Sequence, residues 1–177
     1  MKITPLEIYG SYLIEREPYK DDRGYFARLY CEKEFKNAGI DMNIKQMNLC
    51  ENKQKGTLRG MHYQSGAYAE NKVVSCTRGK IFDVFVDLRV GSPTYLKYNS
   101  YELSEENGEM LYIPEGCAHG YLTLSQDCQI LYLMSEFYEP GYATGYRYDD
   151  PAFHINWPKT ENLIISEKDR KLPYIKQ

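Results

Sequence analysis

Lys80-Ile81-Phe82-Asp83-Val84-Phe85-Val86-Asp87-Leu88 decides the fold. Its residues alternate with a period of two, placing Ile81, Asp83, Phe85 and Asp87 on one face of a strand and Phe82, Val84, Val86 and Leu88 on the other. Arg78-Gly79 supplies the turn before it, and β-type runs spread outward at short, fairly regular intervals. Upstream the pattern predicts strands over Gly10–Glu17, Tyr25–Cys31, Asn43–Glu51, Thr57–Gln64 and Lys72–Thr77. Downstream it predicts Leu96–Leu103, Met110–Ile113, Gly120–Leu124 and Gln129–Phe137. Turn signals separate them at Asp21-Asp22-Arg23-Gly24, Ser104–Gly108, Pro114-Glu115-Gly116 and Ser125-Gln126-Asp127. Glu32–Ala38 reads as a helical turn or two ended by Gly39, and Ser166–Leu172 as a second short helix. Many short strands without long helices predict a mostly β sandwich, jelly roll or closed barrel, with residues 1–177 as one domain.

The 177 residues carry 22 basic and 25 acidic side chains and a net charge of −3, well mixed along the chain. No positive excess is present to favour nucleic acid or a membrane surface, so neither is expected as a partner. No apolar run approaches a membrane span and Met1-Lys2-Ile3-Thr4-Pro5 starts no signal peptide, so a cytoplasmic location is expected. Cys31, Cys50, Cys76, Cys117 and Cys128 are odd in number and widely spaced, which predicts reduced thiols rather than a disulfide framework or zinc ribbon. The 18 tyrosines suit barrel faces, an oligomer interface, or stacking on bases and sugars.

Leu58-Arg59-Gly60-Met61-His62-Tyr63-Gln64 gathers a guanidinium, an imidazole, a phenol and an amide in one predicted strand. Strict alternation would put Leu58, Gly60, His62 and Gln64 on one side and Arg59, Met61 and Tyr63 on the other. An inward histidine titrates near neutrality and suits a base, although for a lone histidine a structural role held by one hydrogen bond is the commoner one. Further chemistry-bearing residues are Lys72, His119 after the Pro114–Gly116 turn, Tyr132 inside an apolar strand, and Asp169 near the end. For His119 a turn-stabilising bond competes with a pocket role, and for Tyr132 plain barrel filling competes. Small barrels often hold a metal through His-x-His plus a later histidine. Here His62-Tyr63-Gln64 offers one histidine where two are wanted, and His154 lies far downstream, so no metal is expected. No Gly-x-Ser-x-Gly elbow or Gly-rich phosphate loop occurs.

Taken collinearly, several short motifs resemble the dTDP-4-dehydrorhamnose 3,5-epimerase family of nucleotide-sugar epimerases. They are Asp22-Arg23-Gly24-Tyr25-Phe26, Gln46-Met47-Asn48, Leu58–Gln64, Lys72, Gly79–Arg89, Ser92-Pro93-Thr94, Ile113–Gly120, Leu131-Tyr132, Tyr138, Asp149-Asp150-Pro151 and Ser166-Glu167-Lys168-Asp169. The resemblance implies a cupin-like jelly-roll β-barrel that forms a homodimer and needs no cofactor or metal. It implies a nucleotide-diphosphate 4-keto-6-deoxy sugar as substrate and epimerisation by removal and opposite-face return of a proton.

By that resemblance His62 is the base, Asp169 orients it, Arg59 and Lys72 are cations near the ketone oxygen, and Tyr132 is the acid. His119 is a pocket contact, Arg23 meets the diphosphate, and Gln46 and Asn48 are polar contacts. Phe26 and Tyr138 sandwich the base, with one aromatic supplied across the dimer. The chemistry is coherent, because a carbon acid beside a ketone needs preorganised positive charge to stabilise its enolate. Arg28 departs from the family, whose thymidine-specific members usually carry glutamate there. A guanidinium only donates and suits guanine O6 and N7, so a GDP-linked sugar is one expectation. Loop Ser65–Asn71 also departs, which admits a larger sugar such as a heptose. The reading is an epimerase acting at C3 and C5 in surface polysaccharide biosynthesis. A C3-only epimerase and a non-catalytic nucleotide-sugar- or glycan-binding jelly roll stand as alternatives.

Overall fold

The computed structural model describes residues 1–176. Its strands are β1 (Lys2–Pro5), β2 (Tyr12–Glu15), β3 (Tyr19–Asp21), β4 (Gly24–Phe26), β5 (Gln46–Asn52), β6 (Thr57–Gln64) and β7 (Lys72–Arg78). They continue as β8 (Lys80–Asp87), β9 (Tyr98–Ser104), β10 (Glu109–Ile113), β11 (Cys117–Thr123), β12 (Cys128–Met134), β13 (Ala143–Gly145) and β14 (Ile164–Ile165). Two short helices, α1 (Glu32–Asn37) and α2 (Glu167–Arg170), complete the regular structure apart from one 3₁₀ turn at Gly66–Tyr68. One sheet runs β1-β2-β10-β7-β12-β5 and the other β13-β6-β11-β8-β9, with β14 added parallel to β6. These two antiparallel sheets form the jelly-roll frame, and β3-β4 is a separate hairpin.

The expected alternation of β8 holds. Ile81 and Phe85 join Val74, Leu111, Tyr121 and Ile130 in the core between the sheets. Val84 and Val86 face outward and pack with Met61, Ala118 and Phe153 beneath the C-terminal segment. A third apolar cluster lies on the back of the first sheet, where α1 contributes Phe35 against Val73, Met110 and Leu133. Because both faces of the central strands are covered, their alternation shows as two different cores rather than as core and water.

Several boundaries differ from expectation. The strand expected over Tyr25–Cys31 stops at Phe26, because Leu29 and Tyr30 turn inward to pack near Phe35. Tyr30 meets the Phe35 ring edge-on at 4.9 Å and donates its hydroxyl to the Met42 carbonyl at 3.0 Å. The run Gln129–Phe137 leaves the sheet after Met134, where Ser135 N–H donates to the Asn71 carbonyl. α1 and its Gly39 terminator appear as expected, with Gly39 at φ +82°. α2 is shorter than Ser166–Leu172, and Ser166 is its N-cap.

Strict alternation fails in β6. His62 pairs with His119, yet Arg59 pairs with Tyr121, so β6 spends one residue more than β11 over that interval. This bulge shifts the phase and turns Arg59 and His62 toward the same cavity, while Met61 and Tyr63 keep to the outer cluster. Glycines permit it. A Cβ on Gly60, at φ +125°, would stand 2.6 Å from the Gly120 Cα, and one on Gly120 would stand 2.7 Å from the Arg59 carbonyl oxygen.

Candidate active site

Within the barrel mouth, inward positions of both sheets converge. The first sheet presents Gln46 and Asn48 from β5, Lys72 from β7 and Tyr132 from β12, with Tyr132 directly opposite Asn48. The second presents Arg59 and His62 from β6, His119 from β11 and Asp83 from β8. His119 lies between the walls: it is register partner to His62, and its ring meets the Tyr132 ring edge-on at 6.0 Å.

α2 delivers Asp169 to His62. Asp169 is buried, its Oδ1 lies 2.8 Å from His62 Nε2, and its Oδ2 accepts the Gly60 N–H at 3.3 Å. Ser166 fixes the start of that turn by accepting the Asp169 N–H at 3.0 Å. Burial pushes the Asp169 carboxyl up, but the bond to His62, the His62 charge and the Gly60 and Ser166 contacts outweigh it and hold it below the usual range. The carboxylate therefore stays ionised and accepts from Nε2–H. In a neutral ring, an Nε2–H donated to this carboxylate leaves Nδ1 with the free lone pair.

Arg59 is held by a relay. Its Nε donates to Asn52 Oδ1 at 2.8 Å, and Asn52 Nδ2 donates to the buried Tyr121 hydroxyl at 3.1 Å. Burial, reinforced by Tyr121, Asp83 and Cys50, pushes the Tyr132 phenol well above its ordinary value, so it keeps its proton. Asp83 is fully buried with Oδ2 2.8 Å from His119 Nε2, and its Oδ1 has no partner among the described residues. Burial pushes this carboxyl up, against the nearby charges of His119 and Lys72. His154, the third histidine, is exposed, and no cluster of three metal-type ligands forms among the described residues.

Two cavities meet at His62. One of about 450 Å³ includes Arg59, Lys168 and Asp169, and one of about 330 Å³ includes Gln64, Glu70, Tyr138 and Lys168. Arg23, Phe26 and Arg28 are not brought there by this chain. They belong to the β3-β4 hairpin and its exit, where Arg23 is 90% and Phe26 72% exposed. Phe26 and Arg28 line a separate cavity of about 570 Å³ with Tyr19 and Glu34. Arg28 is paired with Glu34 at 2.6 Å.

Asn52, Tyr121, Asp83, Glu70 and Lys168 were not singled out from the sequence. A signal existed for Asp83: alternation puts it on the same face as Ile81 and Phe85, where a carboxylate needs a partner. Lys168 sits one residue before Asp169 and lines both cavities.

Known proteins resemble this chain over nearly its whole length. The family model for dTDP-4-dehydrorhamnose 3,5-epimerase matches residues 5–177. A dTDP-4-dehydrorhamnose 3,5-epimerase of Sinorhizobium fredii is 44% identical over 173 residues, covering 98% of this chain and 89% of its own. The crystal structure of the Bacillus anthracis enzyme of that name, with TDP and pyrophosphate bound, superposes with a TM-score of 0.95 at 34% identity, over 98% of this chain and 99% of its own. A dTDP-6-deoxy-D-glucose 3,5-epimerase from Legionella pneumophila, in complex with dTDP-4-keto-L-rhamnose, gives 0.93 at 36% identity over 98% and 92%.

Proposed function

This chain belongs to the dTDP-4-dehydrorhamnose 3,5-epimerase family of isomerases, and from that premise we propose that it inverts C3 and C5 of a dTDP-linked 4-keto-6-deoxy sugar. The observation that supports the reading is that His62 and Tyr132 stand on opposite walls, where they would serve as base and acid. His62, held by Asp169, projects from β6 in one sheet, and the protonated Tyr132 projects from β12 in the other. A sugar ring between them presents one face to each, which is the geometry inversion requires.

In this mechanism Nδ1 of His62 removes the proton beside the ketone, and Asp169 stabilises the imidazolium that forms. Arg59 and Lys72 stabilise the enolate oxygen, which ordinary carbon acidity demands. Tyr132 returns a proton from the far face, with His119 positioned between the two walls to contact the sugar. Retention of a base and acid on opposite walls argues against a simple binding protein.

The nucleotide we infer is dTDP, as in the relatives above. Arg28 alone would suit guanine, but its Nη1 donates to Glu34 Oε1, and Glu34 Oε2 accepts from the Met1 ammonium, so the cation beside Phe26 is already partnered. We further infer a homodimer in which the exposed Arg23 and Phe26 complete the partner's site. Exposed Met47 and Leu49 on edge strand β5 support an interface.

Incubation with dTDP-4-keto-6-deoxyglucose in deuterated water tests the reading. Deuterium at C3 and C5 with inversion is expected; deuterium at C3 alone makes it a C3 epimerase, and none at either carbon overturns it. Parallel titration with dTDP and GDP tests the nucleotide, and tighter GDP binding would overturn that assignment.

A further inference from the structure

Glu70 is a buried carboxylate in the site that the mechanism above does not use. Its side chain is 8% exposed, and Lys72, 6% exposed, places Nζ 3.0 Å from its Oε1. Oε2 accepts from Gln64 Nε2 at 2.9 Å. Gln64 also donates to the Phe137 carbonyl at 3.1 Å and accepts the Glu139 N–H at 2.7 Å through Oε1. Those two bonds bracket Tyr138. Glu70 lines the 330 Å³ cavity together with His62, Tyr138 and Lys168, and it joins that cavity to the buried Lys72 ammonium.

A lysine ammonium is a point charge on a flexible four-carbon stem, and it stabilises developing charge only where it is held before the reaction. The other carboxylate that Lys72 influences, Asp83, is already bonded to His119. Glu70 is therefore the group that fixes Lys72. We propose that Glu70 is a positioning residue, anchoring the Lys72 ammonium beside the sugar ketone and tying it through Gln64 to the segment that carries Tyr138. This rests on the epimerase reading, because it acts through Lys72. Gln64 is the mechanical link: its amide joins β6, the Ser65–Asn71 loop and the stretch after β12.

A double-mutant cycle in the full-length protein tests it, reading kcat and KM for solvent-deuterium incorporation into dTDP-4-keto-6-deoxyglucose. Lys72→Met is expected to lower kcat on the order of 10²-fold. Glu70→Gln keeps the shape and one acceptor, and is expected to lower kcat about tenfold with KM within about twofold. In the Lys72→Met background Glu70→Gln should change kcat less than about twofold, because groups acting through one another are not additive. An equal loss in both backgrounds, or a loss confined to KM, overturns the proposal. Should Glu70→Gln fail to fold, Glu70→Asp is taken through the same cycle. A wild-type protein that incorporates no deuterium removes the epimerase reading itself, a result distinct from additive losses in an active enzyme.

Discussion

Asp169 grips both the side chain of His62 and the backbone of Gly60, two residues earlier on the strand that presents it. One carboxylate oxygen lies 2.8 Å from His62 Nε2 and the other accepts the Gly60 N–H at 3.3 Å. The ring is thus oriented relative to the backbone bulge that re-aims β6. Asp169→Asn keeps the shape but cannot be a carboxylate acceptor for Nε2–H and stabilise an imidazolium. We expect deuterium incorporation to fall on the order of 10³-fold while KM changes little. Wild-type exchange in the variant would remove Asp169 from the mechanism.

Tyr132→Phe separates the two halves of the reaction. His62 can still remove a proton and return one to the same face, so washout of a C3 deuteron should persist while inversion slows at least tenfold. Chiral analysis of recovered sugar reads the difference. Inversion at the wild-type rate would assign the acid elsewhere.

Gly60→Ala is expected to be severely destabilising. Its Cβ would meet the Gly120 Cα at 2.6 Å and the His119 carbonyl oxygen at 2.8 Å, at a φ of +125°. Both are backbone atoms of β11, so there is no side chain to move aside. A loss of more than about 4 kcal/mol in urea denaturation, or insoluble protein, is expected; a loss under about 1 kcal/mol would show that the bulge tolerates a side chain.

Asp87 gives a pH signature. Burial pushes its carboxyl up, but Arg89, Ser92 and Thr94 outweigh this and hold it at about 2. The unfolded value is near 3.9, so linkage makes its contribution about 2 kcal/mol above pH 4, lost as pH falls toward 2. Asp83, pushed up by burial, acts with the opposite sign, so the difference between wild type and Asp87→Asn is the quantity to read. Urea midpoints for the pair should converge on acidification from pH 6 to pH 2.5. A gap that stays constant would mean the stabilisation is not ionic.

Complementation tests the shared site. Arg23→Ala and His62→Asn should each be impaired alone. Co-expressed, they form mixed dimers in which one site holds His62 from one protomer and Arg23 from its partner. Recovery of about a quarter of wild-type activity in the mixture is the random-pairing expectation. No recovery in a confirmed mixed dimer would place the whole site in one chain.

Much of the fold is legible in the sequence because period-two alternation survives burial on both faces, as Lys80–Asp87 demonstrates. The frame follows from it, whereas His119, Lys72 and Tyr132 are singled out by their chemistry and by the family resemblance rather than by the period. What eludes reading has specific causes. β13 and β14 span three and two residues, too short for alternation to register. β6 changes phase at Gly60, so counting in twos assigns Arg59 to the wrong face. Glu70 lies in a loop whose sequence offers no period at all, and its pairing with Lys72 depends on how that loop folds back. The 570 Å³ cavity beside Arg28 is equally non-local, since Met1 and Glu34 reach it from separate segments.

His62 and Tyr132 stand on different sheets, and no loop sets the gap between them. That spacing is fixed by Val74, Phe85, Leu111, Tyr121 and Ile130, the side chains wedged between the walls. The apolar interior is in effect a ruler for the distance between those two side chains. Trimming Phe85 to leucine removes packing from the cluster that also holds the Tyr132 ring, and we expect inversion to slow relative to proton exchange while the protein still folds.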